Sequence, residues 1–382
     1  MKNLKKVIAL LAVAAMTLSI AACGQEKTTT TSDDTTTTEE TTDAAEETTD
    51  AAETTETAAS DDLFDLANYK SDKDESEWTI AVVTKDNTAT WFQRMEVGVN
   101  EFGEATGINV IQRGPANADA ASQVQVIDDM IAQGVDALCV VPIDPGAIEA
   151  SLQNALSQGI VVVTHEASNQ VNTLFDIEAF TAEDFGAAIM DALAADMGEE
   201  GKYAMMVAYT TSTTHMEYAN AQYARQQEAY PNMELINDGA IPSAESEESI
   251  DTAYERAKEI LNANPDLKGF TGVASTDCPG IAQAVEELGL DVKVVGVGTP
   301  SEFRPYVESG TISTIKLWDP KDAGYAMCQT AAMILRGEEV GDGANLVAPG
   351  YESVTLVEGD NRCLVGDADI TITIDNIDDY DF

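Results

Sequence analysis

Short apolar runs alternate with segments of helical period between residues 78 and 168. The runs are rich in Val and Ile and comprise Trp78–Thr84, Ile108–Arg113, Asp136–Pro142 and Ile160–His165. Runs that are apolar on both faces favour buried parallel strands over strands with one wet face. Between two of them, Val124, Ile127 and Ile131 follow one another at helical spacing. The alternation predicts an α/β fold with a doubly wound parallel sheet whose crossovers are helices.

The same alternation restarts at Tyr203, after a short strand at Thr173–Ile177 and a helix at Thr181–Met197. The later predicted strands are Tyr203–Tyr209, Gly269–Ala274, Val292–Val297 and Thr314–Trp318. The later predicted helices are Thr214–Tyr230, Ile250–Asn264, Gly280–Leu288, Glu302–Ser309 and Lys321–Arg336. Two similar halves predict two lobes with a cleft between them. We assign residues 77–167 and 319–350 to the first lobe, and residues 168–318 and 351–382 to the second.

The carboxyl ends of the first strands carry polar and charged residues. Lys85–Asp86 follow the first run, Ile143–Pro145 follow the third and His165–Glu166 the fourth. Ligands of open parallel sheets bind just beyond these strand ends, so we expect a binding site there. None of the turns has the glycine pattern of a dinucleotide site or a P-loop, so a nucleotide is not the expected ligand.

The first residues indicate export. Lysines and an apolar stretch, followed by small residues, make residues 1–22 typical of a secretory signal. The signal ends in Ile20-Ala-Ala-Cys-Gly24, which resembles the bacterial lipobox. We therefore expect lipid on Cys23 and a location on the extracellular face of the cell membrane, anchored by that lipid alone. A plain cleaved signal with a chance Cys is the alternative. The net charge of -48 argues against a nucleic-acid partner.

Residues 23–76 differ in composition from the rest of the chain. Thr, Glu, Asp and Ala dominate residues 25–60, which have almost no large apolar residue. Such a segment cannot bury enough surface to offset chain entropy, so we predict a disordered acidic linker. Its end contains Leu63, Phe64, Leu66 and Tyr69, which could dock weakly on the folded body.

Four cysteines follow the signal: Cys139, Cys278, Cys328 and Cys363. Their spacing has no zinc pattern and no dense disulfide framework. Cys139 and Cys328 lie in apolar stretches, which is typical of buried free thiols. One disulfide among the four remains an open alternative.

Three aromatic residues are candidates for stacking against a small ligand. Trp91 and Phe92 come soon after the first strand, and Trp318 ends the strand that we expect to return to the first lobe. Aromatic rings could stack on the apolar faces of a sugar ring. The alternative for Trp91 and Phe92 is a place in the core beneath their helix.

Charged and hydroxyl side chains at strand ends complete the candidate site. Lys85, Asp144 and Glu166 could form charge-assisted hydrogen bonds to vicinal hydroxyl groups. The second half of the chain adds Thr214, His215, Ser275 and Asp277. The alternatives are loop charges in water, a turn at Asp144 and a helix N-cap at Asp277. No nucleophile-elbow turn accompanies the histidines, so we expect no catalytic residue, no metal and no cofactor.

Several segments carry a family resemblance: Gly114-Pro115, Gln123–Asp129, Gly134–Leu138, Thr299-Pro300, Arg304–Gly310, Leu317–Pro320, Gly324-Tyr325 and Asp378–Phe382. Through them the chain resembles the type I periplasmic sugar-binding proteins of ABC importers, in the branch of the rhamnose-binding and autoinducer-2-binding proteins. The resemblance implies two Rossmann-like lobes, three hinge crossings and a ligand that is enclosed when the hinge closes.

The resemblance also implies roles for single residues. The autoinducer-2 branch uses a lysine after the first strand, matched by Lys85, and an aspartate after the fourth, where this chain has Glu166. It uses an Asp-Gln pair in the second lobe, where this chain has Thr214-His215, and a Pro and an Ala that fall near Val273 and Ser275. One position is retained and one changed conservatively, while the rest differ. Autoinducer-2 is therefore in doubt as the ligand.

These observations favour a monomeric, membrane-tethered lipoprotein that captures a small sugar and delivers it to ABC permease subunits. An autoinducer-2 receptor of the same fold is the alternative. A secreted enzyme using Glu166 and His165 is a weaker hypothesis, because no nucleophile accompanies them. A sugar-responsive transcription factor shares the fold but conflicts with the export signal and the lack of an N-terminal helix-turn-helix.

Overall fold

A computed structural model of the protein describes residues 63–357 and 362–382. By contact density the chain divides into residues 1–52 and residues 53–382, and the description concerns the second unit. The predicted signal, Cys23 and the linker up to residue 62 lie outside the described residues. The strands of the described part form two sheets, one in each lobe.

The sheet of the first lobe is parallel except at one edge. Its strands are β1 (Thr79–Val83), β2 (Asn109–Arg113), β3 (Ala137–Val140), β4 (Val161–His165), β5 (Phe175–Glu178), β12 (Thr355–Leu356) and β13 (Cys363–Val365). They lie in the order β12-β13-β5-β4-β3-β1-β2, and only β12 and β13 pair antiparallel. Every residue of β3, β4 and β5 is buried, which explains their nearly continuous apolar sequence.

The sheet of the second lobe repeats this arrangement. Its strands are β6 (Gly201–Val207), β7 (Met233–Leu235), β8 (Ala244–Glu245), β9 (Leu267–Gly272), β10 (Lys293–Val297), β11 (Ile312–Leu317) and β14 (Ile370–Ile372). The order is β14-β11-β10-β9-β6-β7, with β8 beside β6. Only β14 is antiparallel to its neighbour. The predicted α/β class and two-lobed architecture are thus confirmed.

Helices cover both sheets. The first lobe has α1 (Thr90–Thr106), α2 (Ala120–Gln133), α3 (Pro145–Ser157) and α9 (Pro320–Arg336). The second lobe has α4 (Ala182–Met197), α5 (Thr213–Ala229), α6 (Ile250–Ala263), α7 (Asp277–Leu288) and α8 (Pro300–Ser309). Gly134 ends α2 in the left-handed conformation, with a φ of 73°, as expected of a glycine C-cap. Within the described residues, no helix combines the length and the apolar character that crossing a membrane requires.

The crossings between the lobes differ in part from the sequence assignment. The chain passes from one sheet to the other after β5, after β11 and after β13. Strand β5 pairs with both β4 and β13, so the described residues 168–178, 351–357 and 362–365, which we had assigned to the second lobe, belong to the first. The assignment was wrong there because the partner of β5 comes from residues nearly two hundred positions later, which local periodicity does not show.

Residues 63–76, which we had assigned to the linker, are folded. Leu66–Tyr69 form a 3-10 helix in which Tyr69 is buried. The Ser71 amide donates to the Leu335 carbonyl at 2.8 Å, and Arg336 makes a bidentate pair with Glu75 at 2.9 Å for each bond. Apolar side chains and this ion pair fix the segment to the end of α9. Composition alone therefore placed the linker boundary too late.

The four cysteines of the described chain, Cys139, Cys278, Cys328 and Cys363, are buried free thiols. The predicted character of Cys139 and Cys328 is confirmed, and the alternative of a disulfide is excluded. Burial is the ordinary state of a free cysteine, which packs as a small apolar side chain.

Helices α1 and α9 cross at very short range because both have a glycine at the contact. A Cβ atom on Gly98 would lie 1.8 Å from the backbone oxygen of Lys321. A Cβ atom on Gly324 would lie 2.9 Å from the Met95 oxygen. Only glycine permits this approach of two backbones, and the approach fixes the position of the first turn of α1 in the cleft.

We predict that Gly98→Ala lowers the free energy of unfolding by about 2 kcal/mol, because the backbone of α9 must shift. The loss should appear although alanine favours helices by about 1 kcal/mol over glycine. Gly341→Ala is the matched control, since no atom lies within 4 Å of its added Cβ. Urea unfolding measures both variants; equal stability of the two would contradict the close crossing.

Candidate functional site

A narrow cavity lies between the two lobes, at the carboxyl ends of the parallel strands. Its lining residues are Lys85, Trp91, Phe92, Glu166, His215, Glu248, Val273, Ala274, Ser275, Val297 and Trp318. They follow β1, β4, β8, β9, β10 and β11 or begin α1 and α5. This is the edge at which open parallel sheets bind small ligands.

Lys85 and Glu166 form a buried ion pair on the first lobe. Lys85 Nζ lies 2.6 Å from Glu166 Oε2, and the two side chains are 3% and 5% exposed. Burial opposes the charge of both groups, but their attraction outweighs it. The pKa of Lys85 is consequently raised, and the pKa of Glu166 is lowered. Both groups are ionised at neutral pH.

The backbone of Glu166 is in an unusual conformation. Its φ is 58°, in the left-handed region that residues other than glycine seldom adopt. Strain of this kind persists only where the surroundings hold it, and it concentrates at functional sites. Here it directs the carboxylate from the end of β4 toward Lys85.

His165 holds Trp318 in place. His165 Nδ1 lies 2.5 Å from the carbonyl oxygen of Ile177, which only accepts, so Nδ1 carries the proton. His165 Nε2 therefore accepts, and the indole Nε1–H of Trp318 donates to it at 3.2 Å. This bond crosses from the strand end of β4 to the chain that returns from the second lobe.

His215 reaches the ion pair from the second lobe. Lys85 Nζ lies 3.4 Å from His215 Nε2, and because an ammonium group only donates, Nε2 is the acceptor. Burial, with Lys85 as the second cause, lowers the pKa of His215 to about 3. The proton is therefore on Nδ1, which is buried and has no partner among the described residues. A bound acceptor that reached this atom would satisfy it.

Aromatic rings form one wall of the cavity. The rings of Trp91 and Trp318 meet edge to face, with centroids 4.8 Å apart. Phe180 and Tyr218 also contact the Trp318 ring, at 5.4 Å and 6.4 Å between centroids. Trp91, Phe92 and Trp318 are almost fully buried and pack on the core as well as lining the cavity. Trp91 and Phe92 therefore occupy both of the places given as alternatives, since they belong to the core and also line the cavity.

Glu248 lines the cavity from the second lobe, and the sequence analysis missed it. Glu248 Oε1 lies 3.8 Å from Lys85 Nζ, and its side chain is 8% exposed. Burial raises its pKa to about 7, although Lys85 acts in the opposite direction. It follows the two-residue strand β8 in Glu245-Ser-Glu-Glu-Ser249, where no glycine or proline marks a turn. No local signal distinguishes it from the other acidic residues.

The structure brings together seven of the ten predicted ligand-binding residues. They are Lys85, Trp91, Phe92, Glu166, His215, Ser275 and Trp318. Asp144 is not among them, because its carboxylate caps α3 by accepting from the amides of Gly146 and Ala147 at 2.9 Å and 3.2 Å. The turn that we gave as the alternative for Asp144 is therefore present in the structure.

Thr214 and Asp277 also lie outside the cavity lining. Thr214 lines a separate cavity beside Phe180 and Tyr218, since neighbouring residues of a helix point in different directions and His215 takes the cleft. Asp277 is fully buried, and its Oδ2 accepts from the amides of Val273 and Ala274 at 2.9 Å each. It shapes the turn that presents Ser275 to the cavity.

The site is suited to hydrogen bonding. It combines an ion pair, a neutral imidazole and a carboxyl group whose pKa is about 7. Among the described residues, no group of three or more His, Cys, Asp or Glu is arranged to hold a metal ion. Carboxylates accept from hydroxyl groups and the ammonium donates to them, while aromatic rings cover apolar ring faces.

Two lobes around such a cleft are the architecture of solute-binding proteins. The chain belongs to the periplasmic binding protein domain family, whose sequence model matches residues 80–339. It is similar to the D-ribose/D-allose-binding protein of Pseudomonas aeruginosa, with 26% identity over 276 residues, which cover 68% of this chain and 82% of that protein. As a member of this family, the chain is a binding protein.

Solved structures share the fold. LsrB from Clostridium saccharobutylicum in complex with AI-2 has a TM-score of 0.73 at 24% identity, covering 80% of this chain and 100% of that one. A solute-binding protein of an ABC transporter from Clostridium phytofermentas, with bound L-rhamnose, has a TM-score of 0.72 at 21% identity, covering 79% and 98%. The predicted resemblance to type I periplasmic binding proteins is confirmed.

We predict that Glu248→Gln removes a pH dependence of stability. The raised pKa of Glu248 means that its contribution is fully present below 4.5, its unfolded value, and is lost as the pH rises through about 7. Wild type should therefore lose on the order of 2 kcal/mol relative to the variant between these pH values. Urea unfolding over the pH range measures this. Glu247→Gln, at the exposed neighbour, is the control; parallel profiles of wild type and Glu248→Gln would refute the assignment.

Proposed function

We propose that the protein binds a small neutral sugar in the interlobe cavity and, as a monomer, delivers it to an ABC permease. The observation that carries the proposal is the cavity itself. It places the Lys85–Glu166 pair beside Trp91 and Trp318 at the carboxyl ends of two parallel sheets. Membership of the periplasmic binding protein family and the sugar-binding relatives support it.

The lining fits hydroxyl groups better than other chemistry. Glu166 and Glu248 offer acceptor oxygens, and Lys85 has a proton beyond those directed at Glu166 and His215. Each hydrogen bond to a hydroxyl contributes about 1 kcal/mol net, and an unmet buried group costs more. Selection by several such bonds favours one stereoisomer over another.

The size of the cavity restricts the ligand. The space between the lobes is narrow, and side chains of both lobes line it closely. A pentose or a deoxyhexose is therefore a better candidate than an oligosaccharide. Relatives and structural neighbours named for ribose, allose and rhamnose fall in this size class.

Contacts across the cleft indicate how a ligand would be enclosed. The Tyr209 hydroxyl of the second lobe donates to the Ala118 carbonyl of the first lobe at 2.8 Å. The hydroxyls of Thr90 and Thr299 lie 3.3 Å apart at another point of the cleft. These bonds hold the lobes together in the closed arrangement, and hinge closure of this kind shields a ligand from water.

Autoinducer-2 is the second candidate ligand. Of the positions that the resemblance assigned to it, Lys85, Glu166, His215, Val273 and Ser275 line the cavity, whereas Thr214 does not. A protein that binds this signal would serve quorum sensing as a receptor or importer component. The two candidates share the site and differ only in the molecule bound.

We predict that calorimetric titration of the purified protein with D-ribose, D-allose, L-rhamnose, D-arabinose, D-tagatose and autoinducer-2 finds one ligand with a Kd of about 10 μM or below. Lys85→Met should weaken that binding at least about tenfold, because it also leaves Glu166 buried without its partner. Lys316→Met is the control, since Lys316 pairs with Asp369 outside the cavity. No heat with any of the six ligands would reject the proposal, and sole binding of autoinducer-2 would favour the second candidate.

We also propose that lipid on Cys23 tethers the protein to the outer face of the cell membrane. The signal and lipobox of residues 20–24 support this. Several acyl chains at about 0.8 kcal/mol per buried CH₂ make such an anchor firm. Cys23→Ala should move the protein from the membrane fraction to the soluble fraction on cell fractionation. Retention of the variant in the membrane fraction would count against a lipid anchor.

A further inference from the structure

Glu248 lies where the inner cavity meets the outer cleft. It lines both spaces, whereas the preceding Glu247 lines the outer cleft and not the inner cavity. The outer cleft also has Asp86, Asp251 and Glu302 along its walls, and among the described residues that line it there is no Lys, Arg or His. The charged groups that a molecule meets on this approach to the inner cavity are therefore all carboxyl groups.

The inner cavity offers no free positive charge to an anion. Lys85 is the only Lys or Arg among the described residues that line it. Its Nζ pairs with Glu166 Oε2 at 2.6 Å and lies 3.8 Å from Glu248 Oε1. The imidazole of His215 is neutral, because burial lowers its pKa to about 3.

Glu248 is buried without a fixed partner. Its carboxyl group makes no hydrogen bond with any described residue, since 3.8 Å to Lys85 is beyond hydrogen-bond range. The carboxyl group therefore faces the cavity with its oxygens free for a ligand.

Backbone hydrogen bonds hold the loop that carries Glu248 against the end of β6. The amides of Ser246 and Glu247 donate to the carbonyls of Val207 and Ala208 at 2.9 Å and 3.0 Å. Glu247 and Glu248 both have left-handed φ values, 57° and 52°. The loop belongs to the second lobe and Lys85 to the first, so Glu248 meets Lys85 across the cleft.

We propose that Glu248 is a specificity-determining gate, which closes the cavity from the second lobe, admits small neutral molecules and rejects anions. The inference rests on the proposed function for the identity of the neutral molecule, but its charge selection is testable without a ligand. Sugar phosphates, uronates and aldonates are the anions that such a gate would exclude.

The charge of the gate depends on pH. The groups that face Glu248 are Lys85, Asp277, Glu166 and Asp86, and burial, opposed by Lys85, places its pKa at about 7. As the pH falls below this value the carboxyl group becomes neutral, so exclusion of anions weakens. Glu248→Gln is neutral at every pH and should lack this dependence.

The test uses quenching of the two cavity tryptophans in the ligand-free protein carrying Trp78→Phe. Trp91 and Trp318 are then the only tryptophans of the chain. Quenching by iodide is compared with quenching by acrylamide at pH 8 and constant ionic strength. We expect Glu248→Gln to raise the Stern–Volmer quenching constant of iodide about threefold and to leave that of acrylamide unchanged. Iodide is an anion and is repelled by the carboxylate, whereas acrylamide is neutral. At pH 5 the difference between wild type and Glu248→Gln should disappear.

Glu247→Gln is the matched control, because it makes the same change of net charge in the same loop outside the inner cavity. An equal rise of the iodide constant in both variants, or no rise in Glu248→Gln, would overturn the gate. Failure of acrylamide to quench either tryptophan would overturn it too, since a gate must open. If no sugar of the calorimetric panel binds, the proposed function fails, while the quenching result still decides the gate.

Discussion

The buried ion pair of Lys85 and Glu166 is the constraint on which the site depends. Removing two charges from water costs several kcal/mol for each ion, so the pair is stable only if its geometry is held closely. The 2.6 Å separation and the left-handed backbone of Glu166 show that it is held. The adjacency of the ends of β1 and β4, with β3 between them, supplies that geometry. The Lys85–Glu166 pair thus gives the first lobe a fixed, charged surface in the cavity.

The second lobe contacts this ion pair at longer distances and with weaker bonds. His215 Nε2 and Glu248 Oε1 lie 3.4 Å and 3.8 Å from Lys85 Nζ, and neither side chain has its remaining hydrogen-bonding capacity used. The part of the site on the first lobe is preformed, and the part on the second lobe is only weakly bonded to it. This arrangement suits a protein that must close on a ligand and later release it. Tight bonding on both sides would favour the closed arrangement whether or not a ligand were present.

The aromatic wall is tied to the same framework. Trp318 stands on the chain that returns from the second lobe, and its indole donates to His165 at the end of β4. Trp91 reaches it from α1, whose position is fixed by the close crossing of Gly98 with α9. The ring positions are therefore set by the crossing between the lobes and by helix packing.

The sequence by itself determined most elements of this protein. Strand β1 was predicted at Trp78–Thr84 and lies at Thr79–Val83, and α4 was predicted within one residue. Both predictions succeeded because the order of apolar and polar residues within a short segment indicates burial and helical period. Lys85 and Glu166 were found because parallel strand ends share one edge. The tertiary structure alone decided that β5 pairs with β13, that Asp144 caps a helix and that Glu248 reaches Lys85. These depend on contacts between distant segments and on side-chain direction, which hydrophobic periodicity does not specify.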